Sequence, residues 1–126
     1  MTVRTGLQVL LSGQLSLLSG QRVGLVTNPT GVLPDFTSNV DALLAAGVRL
    51  TALFGPEHGV RASAADGLAV ASAHDRQTGL PVFSLYGTDK RPTAEMAGQV
   101  DVFVYDIQDV GARFYTYIWT LSHVME

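Results

Sequence analysis

Short runs of apolar, β-type residues recur along the chain, with segments of helical periodicity between them. The runs cover residues 22–27, 48–54, 81–86 and 100–105. They are nearly continuous in Val, Leu and Phe, which is typical of strands that are buried on both faces. Strands of this kind, separated by helices, predict an α/β fold in which a mostly parallel sheet carries helices on both faces.

The segments between the runs carry helix signals. Ser38 or Asn39 can cap a helix that Gly47 would close. The predicted helices cover residues 6–18 as one or two short segments, then 39–46, 92–99 and 112–125, with a short extended segment over 68–73. The sequence therefore predicts strands and helices in alternation.

The composition is that of one compact unit. The 126 residues are 47% apolar and 15% charged, and a net charge of −3 gives no electrostatic reason to expect nucleic acid or an anionic membrane as partner. Because there is no cysteine, disulfides, thiolate catalysis and cysteine metal sites are excluded. The N-terminal stretch is too interrupted by polar residues for a signal peptide or a membrane span, so we expect a cytoplasmic location.

Common cofactor motifs are missing. Neither G-x-G-x-x-G nor G-x-x-x-x-G-K-[ST] follows the first run, which argues against dinucleotide or nucleotide binding. His58, His74 and His123 do not have the spacing of an H-E-x-x-H zinc site. We therefore expect neither a cofactor nor a bound metal.

A first charged cluster, residues 54–61, comes directly after the second apolar run. Pro56 and two glycines predict a tight turn that holds the Glu57 carboxylate next to the His58 imidazole. Ligands of open α/β sheets lie beyond the carboxyl ends of the strands, where a partly dry carboxyl can serve as a general acid. The alternative is a structural turn in which Glu57 caps a helix or pairs with Arg61.

A second charged cluster, residues 106–113, follows the last apolar run. Asp109 is expected to open a helix, with an N-cap and an ion pair to Arg113 as its structural alternative. Asp106 is harder to explain structurally, because it interrupts a hydrophobic run where water should be scarce. Both clusters should reach the same edge of the sheet, and together they indicate an acid/base site.

Weaker candidates lie elsewhere in the chain. Asn28 follows the first strand and could hydrogen-bond a sugar or an amide. Tyr115 and Tyr117 are two residues apart, which predicts that they point to different sides of the last helix. One of them is expected in the core and the other in the cleft.

The last predicted helix reaches Glu126 without a Gly, Asn or Pro stop signal. Its aromatic-rich face is larger than four strands need. We therefore expect the chain to be the first part of a larger protein and to expose an apolar patch where the remainder docks.

Four motifs in a fixed order carry a resemblance to a known family. They are residues 24–31, 54–59, 78–87 and 106–117. With them the chain resembles the exo-β-N-acetylmuramidase family, long described as a domain of unknown function, from about residue 20 to residue 126. The resemblance implies a Rossmann-like N-terminal domain, a smaller C-terminal domain that is absent here, and an active cleft between the two.

The same resemblance implies a reaction, the hydrolysis of a terminal non-reducing N-acetylmuramic acid from peptidoglycan fragments. It implies Glu57 as the general acid that protonates the leaving glycosidic oxygen. Asp106 or Asp109 would then stabilise the oxocarbenium-like transition state or activate water.

Substrate-binding residues also follow from the resemblance. Asn28 and His58 would bind the sugar or its acetamido group. Arg61 or Arg113 would bind the lactyl carboxylate, because a guanidinium matches a carboxylate bidentately. Tyr115 completes the candidate binding set.

Two alternatives stay open on the residues alone. The chain could be a non-catalytic sugar- or peptide-binding α/β module, in which Glu57 and Asp106 only hydrogen-bond hydroxyls. It could also be a metal-assisted hydrolase that uses His58 with the carboxylates. The sequence does not distinguish retention from inversion, because an acetamido substrate can supply its own nucleophile.

Overall fold

The apolar runs form one five-stranded sheet in the computed structural model, which describes residues 3–56, 59–61 and 73–126. Its strands are β1 (Val23–Thr27), β2 (Leu50–Gly55), β3 (Ala73–His74), β4 (Pro81–Ser84) and β5 (Val102–Asp106). The order across the sheet is β3-β4-β2-β1-β5. Strands β1, β2, β4 and β5 pair in parallel, and the short edge strand β3 is antiparallel to β4. The predicted mostly parallel α/β sheet is confirmed.

The helical segments are short. They are α1 (Gly6–Val9), which continues into a π-helical turn (Leu10–Gln14) and a 3₁₀ turn (Leu15–Leu18), then α2 (Asn39–Ala45), α3 (Ala94–Ala97) and α4 (Tyr117–Met125). Helix α2 begins as predicted, because Ser38 Oγ accepts a hydrogen bond from the Asp41 amide at 3.1 Å. It ends before Gly47, whose φ of +79° suits glycine.

The start of the last helix was predicted wrongly. Helix α4 begins at Tyr117 and not near Ala112, so Asp109 does not open a helix. Instead, Asp109 Oδ2 accepts a hydrogen bond from the Gly111 amide at 2.8 Å, and Gly111 has a φ of +70°. This local turn competes with helix formation, which is the usual behaviour of Asp followed by Gly. Most of the extended segment expected over 68–73 lies outside the described residues.

Side chains alternate between two cores, one on each face of the sheet. Leu25 and Leu53 point into the first core, while Val26 and Phe54 point into the second. The first core includes Leu7 and Leu18 from the N-terminal helical segments and Val40 and Leu43 from α2. Met96 of α3 and Val124 of α4 pack against the second core. The prediction of helices on both faces is therefore confirmed.

The chain reverses its direction across the sheet between β1 and β5. From β1 it moves outward through β2 to β4, and α3 then carries it back to β5 on the other side of β1. In doubly wound sheets the crevice beyond the carboxyl ends at such a switch point is the usual ligand site. Here Thr27 is paired with Asp106 at that edge.

Within the described ranges, none of the helices is both long enough and apolar enough to cross a membrane.

Candidate functional site

Polar residues converge where β1 and β5 end. Thr27 is the last residue of β1 and is fully buried, and Asn28, which follows it, is only 4% exposed. Asp106 is the last residue of β5 and is half-buried. Three polar side chains therefore lie at the switch point of the sheet.

Asn39, the first residue of α2, connects these strand ends. It is 1% exposed, and its Nδ2 donates to Asp106 Oδ2 and to Thr27 Oγ1, each at 2.7 Å. The Thr27 hydroxyl in turn donates to the Asp106 carbonyl oxygen at 3.0 Å. Both the backbone and the carboxylate of Asp106 are thus held from the neighbouring elements.

The loop after β1 packs tightly against this network. Asn28 Oδ1 accepts from the Thr30 amide at 3.0 Å and from the Thr30 hydroxyl at 2.6 Å. A Cβ at Gly31 would lie 2.1 Å from Asn39 Nδ2 and 2.6 Å from Thr27 Oγ1. Only glycine therefore fits at position 31 while the Asn39 amide keeps its place.

Arg61 forms an ion pair with Asp75 that the sequence did not predict. Arg61 Nε donates to Asp75 Oδ1 at 2.6 Å and Nη2 donates to Asp75 Oδ2 at 3.0 Å. The Thr78 amide and hydroxyl also donate to Asp75 Oδ2. The Arg61 hydrogen bonds, with help from Thr78, lower the pKa of the largely buried Asp75 to about 2. The charge of Arg61 is therefore already neutralised by a protein carboxylate.

A cavity of about 300 Å³ lies beside the network, between the loop after β1, the start of α2 and Arg61. It brings two predicted binding residues, Asn28 and Arg61, into one wall. Its lining residues are Asn28, Pro29, Gly31, Val32, Ser38, Asn39, Val40, Val60 and Arg61. Apolar walls with a few convergent polar groups are typical of small-molecule sites.

The first charged cluster begins directly after β2. The Gly59 amide donates to the Pro56 carbonyl at 3.0 Å, and Gly59 has a φ of +77°. The backbone of residues 59 and 60 packs on Gly55, where a Cβ would lie 3.0 Å from Gly59 Cα. Glu57 and His58, the predicted general acid and its neighbour, lie outside the described residues.

The remaining candidates lie after β5. Asp109 and Arg113 are exposed, and Arg113 pairs with no carboxylate in the described part of the chain. Tyr117 is buried at 6% exposure, and its ring meets that of half-buried Tyr115 edge to face, with centroids 4.8 Å apart. The expectation that these two rings diverge was wrong, because Tyr115 precedes the helix.

Sequence reasoning missed Asn39, Thr27 and Asp75. Asn39 was considered only as a cap, and Thr27 only as the end of a strand. The available signal was an Asn at the start of an otherwise apolar helix face, since a buried amide needs a partner. Asp75 gave no signal, because it lies in a polar turn and its partner Arg61 is in another loop.

The described residues contain no clustered metal ligands. No group of three or more His, Asp or Glu side chains that could hold a metal ion occurs among residues 3–56, 59–61 and 73–126. The metal-assisted alternative depends on His58, which is outside these ranges, and it is not tested by this result.

Comparison with known proteins gives consistent matches. Residues 23–126 match the family model described as exo-beta-N-acetylmuramidase NamZ, N-terminal. The peptidoglycan beta-N-acetylmuramidase NamZ of Bacillus subtilis (strain 168) is 53% identical over 125 residues, which cover 98% of this chain and 30% of that protein.

Two crystal structures of DUF1343 family proteins from Bacteroides fragilis NCTC 9343 have the same fold. The first superposes with a TM-score of 0.88 at 50% identity and the second with 0.77 at 30% identity. The alignments cover 97% and 95% of this chain, but only 30% of each of those chains. The chain thus spans about a third of the length of the relatives it matches. With its sheet topology and a family match over residues 23–126, the chain belongs to the exo-β-N-acetylmuramidase NamZ N-terminal family.

Proposed function

We propose that this chain is the N-terminal catalytic part of a glycoside hydrolase that releases terminal non-reducing β-N-acetylmuramic acid from peptidoglycan fragments. Support comes from the family match and from the 53% identity to a protein named peptidoglycan beta-N-acetylmuramidase. The substrate is a small carbohydrate, and the reaction needs acid and base groups rather than a cofactor.

The observation that carries the proposal is the position of Asp106 relative to the end of β2. Strands β2 and β5 flank β1 on opposite sides, so Gly55 and Asp106 are two strand spacings apart, or about 10 Å between Cα atoms. Glu57 follows Gly55 by two residues in the sequence. Carboxyl groups that flank a glycosidic bond are separated by about 5 to 9.5 Å, a span that side chains from these two strand ends can meet.

The catalytic roles are taken from the family resemblance, and the surroundings of each aspartate decide between the two. Glu57 acts as the general acid on the leaving oxygen. Asp106 is the better of the two aspartates to stabilise positive charge on the sugar or to activate water, because it is half-buried and oriented by Asn39. Asp109 is exposed and engaged by the Gly111 amide, so its contribution is smaller.

The binding roles are divided among the remaining residues. Asn28 and His58 contact the sugar or its acetamido group, and Tyr115 lines the cleft. Arg113 binds the lactyl carboxylate in preference to Arg61, whose charge is satisfied by Asp75.

A further part of the same protein is the proposed partner of this chain. The relatives are about three times as long, and α4 and the segment just before it expose large apolar side chains. We name this set the α4 apolar surface. It comprises Phe114, which precedes the helix, and Ile118, Trp119 and Met125 of α4, which are 87%, 59%, 60% and 78% exposed. The cytoplasmic location stays a prediction that cell fractionation would test.

The central experiment is the Glu57→Gln substitution in the full-length protein. We expect a loss of at least about 100-fold in kcat on a chromogenic β-N-acetylmuramide, the usual scale of a general acid, with the fold retained. Asp109→Asn should cost less. Glu95→Gln, an exposed change of the same kind in α3, is the matched control and should leave kcat unchanged.

Two outcomes would favour the alternatives. Equal and small losses for Glu57→Gln and Asp109→Asn would support the sugar-binding module. Loss of activity with a chelator, restored by a divalent metal, would support the metal-assisted hydrolase.

A further inference from the structure

Asn39 carries a buried side-chain amide on the face of α2 that otherwise contributes apolar side chains to the core. It is the first residue of α2 and is buried together with Val40, Ala42 and Leu43 of the same helix. A buried amide without hydrogen bonds costs on the order of 1–3 kcal/mol. Both protons of the Asn39 amide are instead used, one toward β1 and one toward β5.

The chemistry of the partners fixes the orientation of this amide. Two acceptor oxygens, Asp106 Oδ2 and Thr27 Oγ1, lie 2.7 Å from the same atom of Asn39, so that atom is the NH₂ nitrogen and not the amide oxygen. Thr27 gives its proton to the Asp106 carbonyl and can therefore accept from Asn39. The backbone of Asn39 is held as well, because its amide donates to the Gly31 carbonyl at 2.8 Å.

From this geometry we infer that Asn39 is a positioning residue that orients the Asp106 carboxylate in the proposed glycosidase site. The inference rests on the proposed function, and it adds a residue that acts through Asp106 and not on the substrate. Asn39 binds Oδ2, and none of the described residues donates to Oδ1. The carboxylate therefore has one oxygen fixed by the protein and one available for the sugar or for water.

The loop after β1 leaves space for the contact between Asn39 and Asp106. Gly31 leaves room for the amide, since a Cβ there would collide with Asn39 Nδ2 at 2.1 Å. A reacting group that is misplaced by about 1 Å can lose on the order of 100-fold in rate. A single hydrogen bond to a half-buried carboxylate is therefore enough to affect the reaction strongly.

A double-mutant cycle in the full-length protein tests the inference. Asn39→Leu keeps the size of the side chain but removes the donor, and we expect it to lower kcat by about 10- to 100-fold with little change in KM. In an Asp106→Ala background the same substitution should have almost no further effect, because the group it positions is gone. Full additivity of the two losses would overturn the inference.

A control separates positioning from stability. Thr51 Oγ1 donates to the Gln99 carbonyl at 2.8 Å, near the amino-terminal ends of the strands and far from Asp106. Thr51→Val and Asn39→Leu should both lower Tm, but Thr51→Val should leave kcat unchanged. If both variants lower kcat in proportion to their loss of Tm, Asn39 has only a structural role and the inference is wrong.

An NMR experiment tests the contact without measuring turnover and without a substitution at position 39. In NMR spectra of the full-length protein, the Asn39 side-chain proton bonded to Asp106 should move upfield in Asp106→Ala. The side-chain amide of Asn28 is the internal reference. An unmoved Asn39 resonance would refute the contact and with it the inference. A protein that never releases N-acetylmuramic acid would refute the proposed function even if the Asn39 resonance moves, so the two failures are distinguishable.

Discussion

Arg61 and Arg113 are the two cations beside the acidic clusters, and their surroundings differ. Arg61 makes a bidentate contact to Asp75, whose side chain is 5% exposed, and no net positive charge is left at that point. Arg113 is exposed and has no carboxylate partner among the described residues. The resemblance left Arg61 and Arg113 as alternatives for the lactyl carboxylate, and the contact to Asp75 makes Arg113 the better one to test.

Arg113→Ala in the full-length protein should therefore raise KM for an N-acetylmuramide by about 10-fold or more, the scale of a lost charged hydrogen bond. The slow rate on the corresponding N-acetylglucosaminide, which has no lactyl carboxylate, should hardly change. The two kcat/KM values measure this ratio, and Arg61→Ala is the comparison variant. An unchanged ratio in both variants would mean that another part of the protein reads the carboxylate.

The Arg61–Asp75 pair should also make stability depend on acid pH. The pKa of Asp75 is about 2 when folded, against 3.8 ordinarily, so the folded chain favours its charged form. A lowered carboxyl pKa stabilises the fold fully above about pH 4, and the effect is lost as the pH falls toward 2. The size is on the order of 2 kcal/mol for this largely buried group.

Urea unfolding of the wild type and of Asp75→Asn at pH 5 and pH 2 checks this expectation. The gap in the free energy of unfolding between the two proteins should be large at pH 5 and should shrink toward pH 2. A gap that stays constant with pH would mean that the pair contributes through packing and not through its charge.

At the scale of elements, side chains of the second core pack tightly against β1 at Gly24. A Cβ there would lie 2.8 Å from Val100 Cγ1 and 2.9 Å from Phe54 Cε2. Phe54 cannot easily move, because its ring also packs on Phe83 and Phe103 with centroids 5.4 and 5.1 Å away. The glycine lets the rings of Phe54 and Phe103 approach β1 closely.

Gly24→Ala should consequently destabilise the protein by about 1–3 kcal/mol, the usual cost of overpacking a core. Gly13 offers a matched control, because it lies in the N-terminal helical segment with nothing within 4 Å of its ideal Cβ. Gly13→Ala should be neutral or stabilising by about 0.5–1 kcal/mol. Thermal unfolding of both variants gives the comparison, and an equal effect of the two changes would contradict the packing argument.

For the whole molecule, the α4 apolar surface is the feature to explain. Several large exposed apolar side chains within one segment of the chain indicate a surface that a partner covers. We expect the isolated 126-residue chain to bind an apolar fluorescent dye and to lack muramidase turnover. Turnover at a rate near that of the full-length protein would contradict this.

A charged substitution tests the same surface from the other side. Ile118→Lys should lower Tm of the full-length protein and reduce dye binding by the isolated chain. Leu17→Lys, which changes a residue that is 68% exposed on the N-terminal segment, should have neither effect. Equal behaviour of the two variants would mean that the α4 apolar surface has no covering partner.

Much of the fold could be predicted from the sequence, because the signals are local. The period of apolar residues gave the parallel strands and the helices that cover them, and Ser38 and Gly47 gave the ends of α2. The wrong prediction of a helix starting at Asp109 also has a local cause. The apolar spacing favoured a helix there, but the hydrogen bond from the Gly111 amide to Asp109 Oδ2 stabilises a turn instead.

For the candidate site, the sequence determined some features and the tertiary structure decided the others. The sequence determined that Asn28 and Asp106 follow strands and so share an edge of the sheet, because parallel strands end on the same side. It could not indicate that Asn39 bonds Asp106 across 67 residues, or that Asp75 neutralises Arg61. Those contacts depend on strand order, on register and on how two loops meet, and no local pattern of residues encodes distances between segments that only the folded sheet brings together.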